Sequence, residues 1–263
     1  MTRPVSSIYS VSHRNGRRKI KECISRGCHS RTEPALIFFR ADDIGIPSRQ
    51  FQLLIYCFIK HRMPLCLATV PSWLTPERFL ALKHVTGVNS TQWCWHQHGR
   101  LHHNFEQYGK KQEFGPARDE SEITNSLKKG KQRLQDIMAD DFQLIFTPPW
   151  NRCSAQTIDS LVELKFSALS RSLGAKPETV PELPDFQVGV DLHTRKEISP
   201  HLGFNNLCIE LDENIRSGQC GIMIHHQRMN NRAFELLDLL LAIIKNSPQL
   251  TPVLFSDLIE TPA

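Results

Sequence analysis

The stretch Trp93-Cys94-Trp95-His96-Gln97-His98-Gly99-Arg100-Leu101-His102-His103 gathers four of the twelve histidines of this chain into eight residues. Residues 91–95 read as a buried strand, so the histidines fall where a strand gives way to a turn. Neutral imidazole is the commonest protein metal ligand. His98 and His102 stand four apart, a spacing that one helical turn or a tight loop folds onto one side. Two histidines do not complete a site, and the best candidate for a third ligand is the Asp42-Asp43 pair, which follows the apolar run 36–39.

The same order of strand, reactive cluster and helix recurs along the chain. A strand over 34–39 ends in Arg40-Ala41-Asp42-Asp43-Ile44-Gly45 and is followed by a helix over 48–61. A strand over 64–70 precedes a helix through Phe79 and Leu82. Residues 103–119 have no periodicity and read as a long loop of the kind that carries function. A helix over 123–138 leads to a strand at 144–146 that ends in Thr147-Pro148-Pro149-Trp150-Asn151. Beyond a helix over 155–164, strands at 166–170, 186–192 and 221–224 end in Arg171, in Asp191-Leu192-His193-Thr194-Arg195 and in His225-His226. Helices over 207–215 and 233–244 and a short strand at 253–255 complete the pattern. Chemically capable residues at the ends of several strands are the arrangement of a parallel barrel, whereas a doubly wound sheet gathers its ligands at one switch point. The expectation is an α/β chain folded as an irregular (β/α) barrel of seven to eight mostly parallel strands.

Composition narrows the function. With 263 residues and 40% hydrophobic content the chain can build a sizeable core. The net charge is +5, but the first 34 residues hold eight Lys and Arg against Glu22 and Glu33, so the remainder carries about −1. A near-neutral body argues against nucleic acid as the main partner, because a dedicated binder spreads its cations over the face that meets phosphate. Residues 1–33 therefore read as a flexible basic N-terminal extension, able at most to dock weakly on an acidic membrane surface or a partner, and residues 34–263 as a single domain. Cys57, Cys66, Cys94, Cys208 and Cys220 lie in apolar segments and no C-x-x-C pair occurs, so the cysteines read as reduced and buried. Cys23 and Cys28 lack the spacing of a zinc knuckle. The head has no apolar core of a secretory signal, and the stretch 233–244 is too short, and too interrupted by Glu235 and Asp238, to span a bilayer. The expectation is a soluble, cytoplasmic protein with no transmembrane segment.

Each cluster also has a plainer reading. Asp42-Asp43 could cap a helix. Two prolines after a strand stop the ladder and stiffen a turn, although a rigid wall bearing Trp150 also suits a sugar groove. One ring of His225-His226 could pack while the other faces the strand-end side. Asp191 and His193 alternate and so point the same way, either to orient a catalytic group or to close a loop salt bridge.

Taken in order, Asp42-Asp43, His98-Gly99-Arg100-Leu101-His102, Thr147-Pro148-Pro149-Trp150-Asn151, Asp191 and Ile222-Met223-Ile224-His225 resemble the motif series of the polysaccharide deacetylases, carbohydrate esterase family 4, with its NodB-like homology domain. The resemblance runs over residues 34–252. It implies Asp42 as general base, Asp43, His98 and His102 as metal ligands and His225 as general acid; the strand-end readings add Pro149, Trp150, Asn151, Asp191 and His226 as candidate substrate-binding residues. One departure stands out: the family arginine that supports the base falls on Thr147, with Arg40, Arg152 and Arg171 as possible substitutes. Asp with two His suits Zn²⁺, with Co²⁺, Ni²⁺ or Fe²⁺ as alternatives. The implied activity is hydrolysis of the acetyl group of an N-acetylated sugar or glycan precursor, and the implied partner is a carbohydrate. The alternative is a catalytically silent carbohydrate-binding or scaffold protein that retains the barrel.

Overall fold

The computed structural model describes residues 5–87 and 91–260. They fall in two compact units, each made of several chain segments. The first holds the described residues of Met1–Ala41, Ser48–Leu65 and Val188–Leu254, and the second those of Asp42–Pro47, Cys66–Gln187 and Phe255–Ala263.

In the first unit the apolar run read from the sequence becomes the start of β1 (Ala35–Ile44), with Ile37, Phe38 and Phe39 fully buried. Such unbroken burial is the signature of a strand covered on both faces. β1 pairs in parallel with β7 (Gln219–Ile224) from Leu36 against Gln219 to Ala41 against Ile224. It also pairs with β8 (Leu250–Pro252), from Ala35 against Leu250 to Ile37 against Pro252. β6 (Val190–Asp191) is a two-residue strand on β7. Around these strands α2 (Arg49–His61) packs with α7 (Asn231–Lys245). Ser48 and Asn230 cap the two helices by accepting the N–H of Phe51 and Ala233.

Within the basic head, read from the sequence as an extension, the described residues form packed structure. Residues 1–4 lie outside the described residues, but Ser7–Tyr9 makes a 3-10 turn and Gly16–His29 forms helix α1, packed on α6 (Pro200–Ser217). Its buried residues Ile20, Cys23, Ile24, Gly27 and Cys28 follow the helical spacing of a core-facing stripe. The many cations around that stripe hid it. Gly27 lets the two helices approach, since a Cβ there would sit 2.8 Å from Ile215 Cβ.

The second unit holds β2 (Leu65–Thr69, apart from Leu65 itself), β3 (Trp93–His98), β4 (Phe142–Thr147) and β5 (Ala168–Leu169), in the order β5-β4-β3-β2. β3 and β4 are parallel, with a register irregularity between His96 and Gln97 that returns His98 to face Thr147. Helices α3 (Pro76–Thr86), α4 (Glu120–Met138) and α5 (Ala155–Glu163) alternate with these strands. A reciprocal capping box between Asp119 and Glu122 starts α4. Its apolar face meets Phe114, Phe146, Ile158, Leu161 and Phe166 in one cluster.

Parallel strands alternating with amphipathic helices are the α/β class expected from the sequence. Two expected strands shrink: only 168–169 of 166–170 and 190–191 of 186–192 pair as strand. The strand expected at 253–255 lies instead at β8, and Phe255 opens helix α8 (Phe255–Glu260), its buried ring stacked on Phe186 at 5.4 Å. All eight cysteines are buried and none forms a disulfide. No described helix is long and apolar enough to cross a membrane.

Candidate metal centre

β1 carries its last residues into the second unit, and the backbone changes hand at Asp43, where φ is 64°. In an extended strand, neighbouring side chains point to opposite faces. A left-handed residue breaks that alternation, and Asp tolerates the conformation better than most. Gly45 follows with φ 151°, where a Cβ would stand 2.9 Å from Trp73 Cβ. Asp42 and Asp43 are each 2% exposed.

β3 is longer than expected, so that His96 and His98 lie in the strand and His102 in the loop beyond it. The four-residue spacing is closed by a tight loop with positive φ at Gly99 (58°) and His102 (54°). A Cβ at Gly99 would lie 2.4 Å from Glu113 Oε2 and 2.6 Å from Pro149 Cγ, so glycine is required there by space as well as by conformation. The loop brings His98 Nε2 to 3.6 Å and His102 Nε2 to 3.0 Å from the same atom, Asp43 Oδ1. One ligand atom from each of these three residues lies within 4.8 Å of the others.

The chemistry of this donor set fits a cation. His98 Nδ1 lies 3.0 Å from the Thr147 carbonyl oxygen, so in the neutral ring Nδ1 carries the proton and Nε2 presents a lone pair. Lone pair and carboxylate oxygen repel unless a positive charge stands between them. Burial alone would lower the pKa of His98, but the carboxylates of Asp43 and Asp42 and the Thr147 carbonyl raise it above the ordinary histidine value. A proton or a metal satisfies the same demand, and an Asp with two His is a donor set of catalytic zinc sites.

The loop itself is held by Glu113, a residue the sequence did not single out. Fully buried, Glu113 accepts from the N–H groups of Arg100 at 3.0 Å, Leu101 at 2.7 Å and His102 at 2.9 Å. Burial raises its pKa against the opposing effect of those three donors. Its only sequence signal was an acid beside Phe114 in a loop without periodicity.

The other histidines of the opening stretch have different work. His96 Nε2 lies 3.0 Å from Thr147 Oγ1 and the ring meets Phe255 edge-on at 5.3 Å. His103 packs on Phe105 at 4.9 Å. Trp150 lies 4.8 Å, centroid to centroid, from the His102 ring, and Trp73, not expected at the site, lies at 5.4 Å. Pro149 is buried, and Trp150 and Asn151 are half-buried, with φ 58° and 59°. Of the possible arginine substitutes, Arg171 is bound by Asp185 at 2.9 Å and Arg152 donates to the Lys111 carbonyl at 3.2 Å.

The remaining candidate residues lie in the first unit, where Arg40 Nη2 is 3.2 Å from Met223 Sδ. The N–H of His225 donates to His193 Nδ1 at 3.1 Å. His226 is 1% exposed and meets Phe51 edge-on at 6.0 Å, the position of a packed core ring and not of a groove wall. The Asp191 carboxylate turns onto its own loop, accepting from the N–H groups of His193 and Thr194 at 2.9 Å and from the Thr194 hydroxyl. Burial, and then the charges of His225, His226 and Arg228, push the pKa of His193 well below the ordinary value.

No family model matches the chain and no curated protein does. Solved structures do. A Mycobacterium smegmatis protein provisionally assigned as a polysaccharide deacetylase is 15% identical, with a TM-score of 0.60 over 80% of this chain and 76% of that one. A family 4 acetyl xylan esterase from Clostridium thermocellum, in complex with a cobalt ion, is 13% identical, with a TM-score of 0.57 over 85% of this chain and 89% of that one. A family 4 pseudoenzyme from Bacillus anthracis is 10% identical, with a TM-score of 0.55 over 87% of this chain and 66% of that one.

Proposed function

We propose that this chain, which has the fold of the carbohydrate esterase family 4 deacetylases, is a metal-dependent hydrolase that removes an acetyl group from an N-acetylated sugar or glycan precursor. The observation that carries this reading is the approach of two imidazole nitrogens to one buried carboxylate oxygen, Asp43 Oδ1. Asp43, His98 and His102 would hold the divalent cation, and their donor set suits Zn²⁺ before Co²⁺, Ni²⁺ or Fe²⁺. When bound, it would supply Lewis acidity at the acyl oxygen and lower the pKa of a neighbouring water. Asp42 accepts the proton of the attacking water on its carboxylate. The imidazole of His225 donates a proton to the departing nitrogen. Glu113 keeps the His102 loop in shape, and Trp150 offers a face on which a sugar ring stacks. Eight buried cysteines outside any disulfide favour a reducing compartment, and with it a cytoplasmic precursor as substrate.

Metal analysis of protein purified without a histidine tag, joined to an acetate-release screen on N-acetylglucosamine oligomers and nucleotide-linked N-acetylhexosamines, tests the reading. Stoichiometric transition metal with metal-dependent acetate release is the expected result. Failure to bind metal even after reconstitution would end it. A second reading, a silent carbohydrate-binding protein, is favoured by one observation: Thr147 occupies the place of the family arginine and engages His96 instead. Metal binding and glycan binding without acetate release would select that reading.

A further inference from the structure

The register of β6 on β7 runs Val190 against Ile222 and Asp191 against Met223, and Leu192 N–H still donates to the Met223 carbonyl at 3.1 Å. Continued by two residues, the same register would set His193 against His225. The backbone ladder does not reach that far, but the His193 side chain takes its place: Nδ1 accepts the His225 N–H at 3.1 Å. For that bond the ring must be neutral with its proton on Nε2. The ring is 1% exposed.

The ring has a second support, from the other end of the chain. Tyr9, 2% exposed, stacks on His193 with centroids 5.5 Å apart and planes 27° from parallel, and its Oη donates to the Leu192 carbonyl at 2.8 Å. Burial raises the pKa of this phenol, which keeps it a donor. Tyr9 is itself tied down. Its carbonyl accepts from Asn230 Nδ2 at 3.3 Å, the Ser10 carbonyl accepts from Arg232 and the Ser7 hydroxyl donates to the Glu197 carbonyl. The segment 6–10 thus straps the loop after β6 to the loop after β7. Asp191, expected to orient a catalytic group, is occupied by its own loop.

We propose that His193, clamped by Tyr9 of the N-terminal segment, is the positioning residue that fixes the backbone at His225. The catalytic half of this inference rests on the reading of His225 as general acid; the clamp does not. A neutral acceptor on the backbone N–H fixes direction without adding charge.

Two measurements on the full chain separate the clamp from its consequence. The first is amide hydrogen exchange at His225 in the parent and in His193→Leu, His193→Asn, Tyr9→Phe and Tyr9→Ala, read alongside amides of α7 as an internal control. His193→Leu should exchange at least about tenfold faster at His225 alone, the scale of one lost hydrogen bond. His193→Asn, whose Oδ1 stands where Nδ1 was, should restore most of the protection. Tyr9→Ala should loosen it more than Tyr9→Phe. Unchanged exchange in His193→Leu, or equal acceleration at His225 and in α7, overturns the proposal. The second is kinetic, comparing tri-N-acetylchitotriose, whose leaving amine needs a proton, with 4-nitrophenyl acetate, whose leaving group does not. His193→Leu should cut kcat about 100-fold on the amide, with KM within a few-fold and a fall on the aryl ester less than a tenth as large, and His193→Asn should recover the amide rate. Equal losses on both substrates would overturn a positioning role. If His225→Ala itself lacks this substrate difference, the general-acid assignment fails, and the exchange result still decides the clamp.

Discussion

In the second unit imidazole turns toward a side chain: His98 and His102 bring Nε2 to 3.6 and 3.0 Å from Asp43 Oδ1. In the first unit it turns toward the backbone, His193 Nδ1 accepting the His225 N–H. The first arrangement favours positive charge, because it sets the Nε2 lone pair of His98 against a carboxylate oxygen. The second demands a neutral ring, because a protonated Nδ1 cannot accept. One residue type thus serves a charge-dependent and a charge-intolerant role in the same chain, and the difference is set by what the ring faces.

The largest effects should come from the charge-dependent cluster. Asp43→Asn is expected to lose both metal and activity, whereas Asp42→Asn should keep metal near the parent content and lose about 10²- to 10⁴-fold in kcat, the scale of a general base. Metal content by elemental analysis decides it: two variants alike, or the reverse pattern, would end the division of labour between the carboxylates. His98→Ala and His102→Ala should behave like Asp43→Asn. His96→Ala should retain metal and lower the thermal midpoint, because its ring is packed against Phe255 and bonded to Thr147.

A smaller effect is expected at Glu113, which touches no proposed substrate. Glu113→Ala strands three loop N–H groups, and burying one such group unpaired costs about 1–3 kcal/mol. Metal affinity should fall about 10- to 100-fold, the range for outer-shell partners of metal ligands. A metal titration that gives parent affinity would show that the loop after β3 holds its shape without the carboxylate.

The legibility of the two clusters in the sequence differs for the same physical reason. His98 and His102 could be paired by their spacing, and the Asp42-Asp43 pair by its place at a strand end, with the family resemblance alone choosing Asp43, because ligand sets recur as short motifs. The α/β class followed from apolar runs alternating with amphipathic ones. Glu113 and Trp73 were not legible: each meets the site through a loop whose path no local pattern specifies. Nor was Tyr9, whose partner His193 is 184 residues away. The buried stripe of α1 obeys the helical period and could have been read, but charge count outweighed periodicity in judging residues 1–33.

The charge-intolerant cluster can be broken with acid. The folded-state pKa of His193 lies well below the ordinary value, through burial first and then His225, His226 and Arg228. Tyr9 stacks on the same ring, and Asp191 accepts the backbone N–H of His193. Where the unfolded chain binds a proton that the folded one does not, stability rises with pH. Stability from this group is therefore complete above the unfolded value near 6.5 and lost as pH falls from there toward the depressed folded value. His193→Asn should flatten that part of the dependence. Thermal midpoints of parent and variant at several pH values from about 7.5 to 5 check it; parallel curves would show that His193 is not held neutral by the fold.

The smallest expected effect lies at Trp150, where the charge-dependent cluster meets its surroundings. The ring lies 4.8 Å from His102 but leaves part of itself exposed, after the buried Pro149. Its backbone is left-handed, with φ 58°, a strain of order 1–3 kcal/mol for a residue other than glycine. A bulky aromatic held there is costly to folding, so packing alone is a poor reason for it. Stacking on a sugar face is a better one, and such aromatic contacts contribute about 0.5–1.5 kcal/mol, which corresponds to a rise of about 2- to 10-fold in KM for Trp150→Ala with kcat little changed. Trp150→Gly should raise KM equally while recovering stability, since glycine adopts positive φ freely. Trp150→Phe should keep most of the affinity. A thermal midpoint that falls steeply in Trp150→Ala and Trp150→Gly alike, with KM unmoved, would make Trp150 a support for His102, and the wall of the metal centre would have to be sought on the Trp73 side.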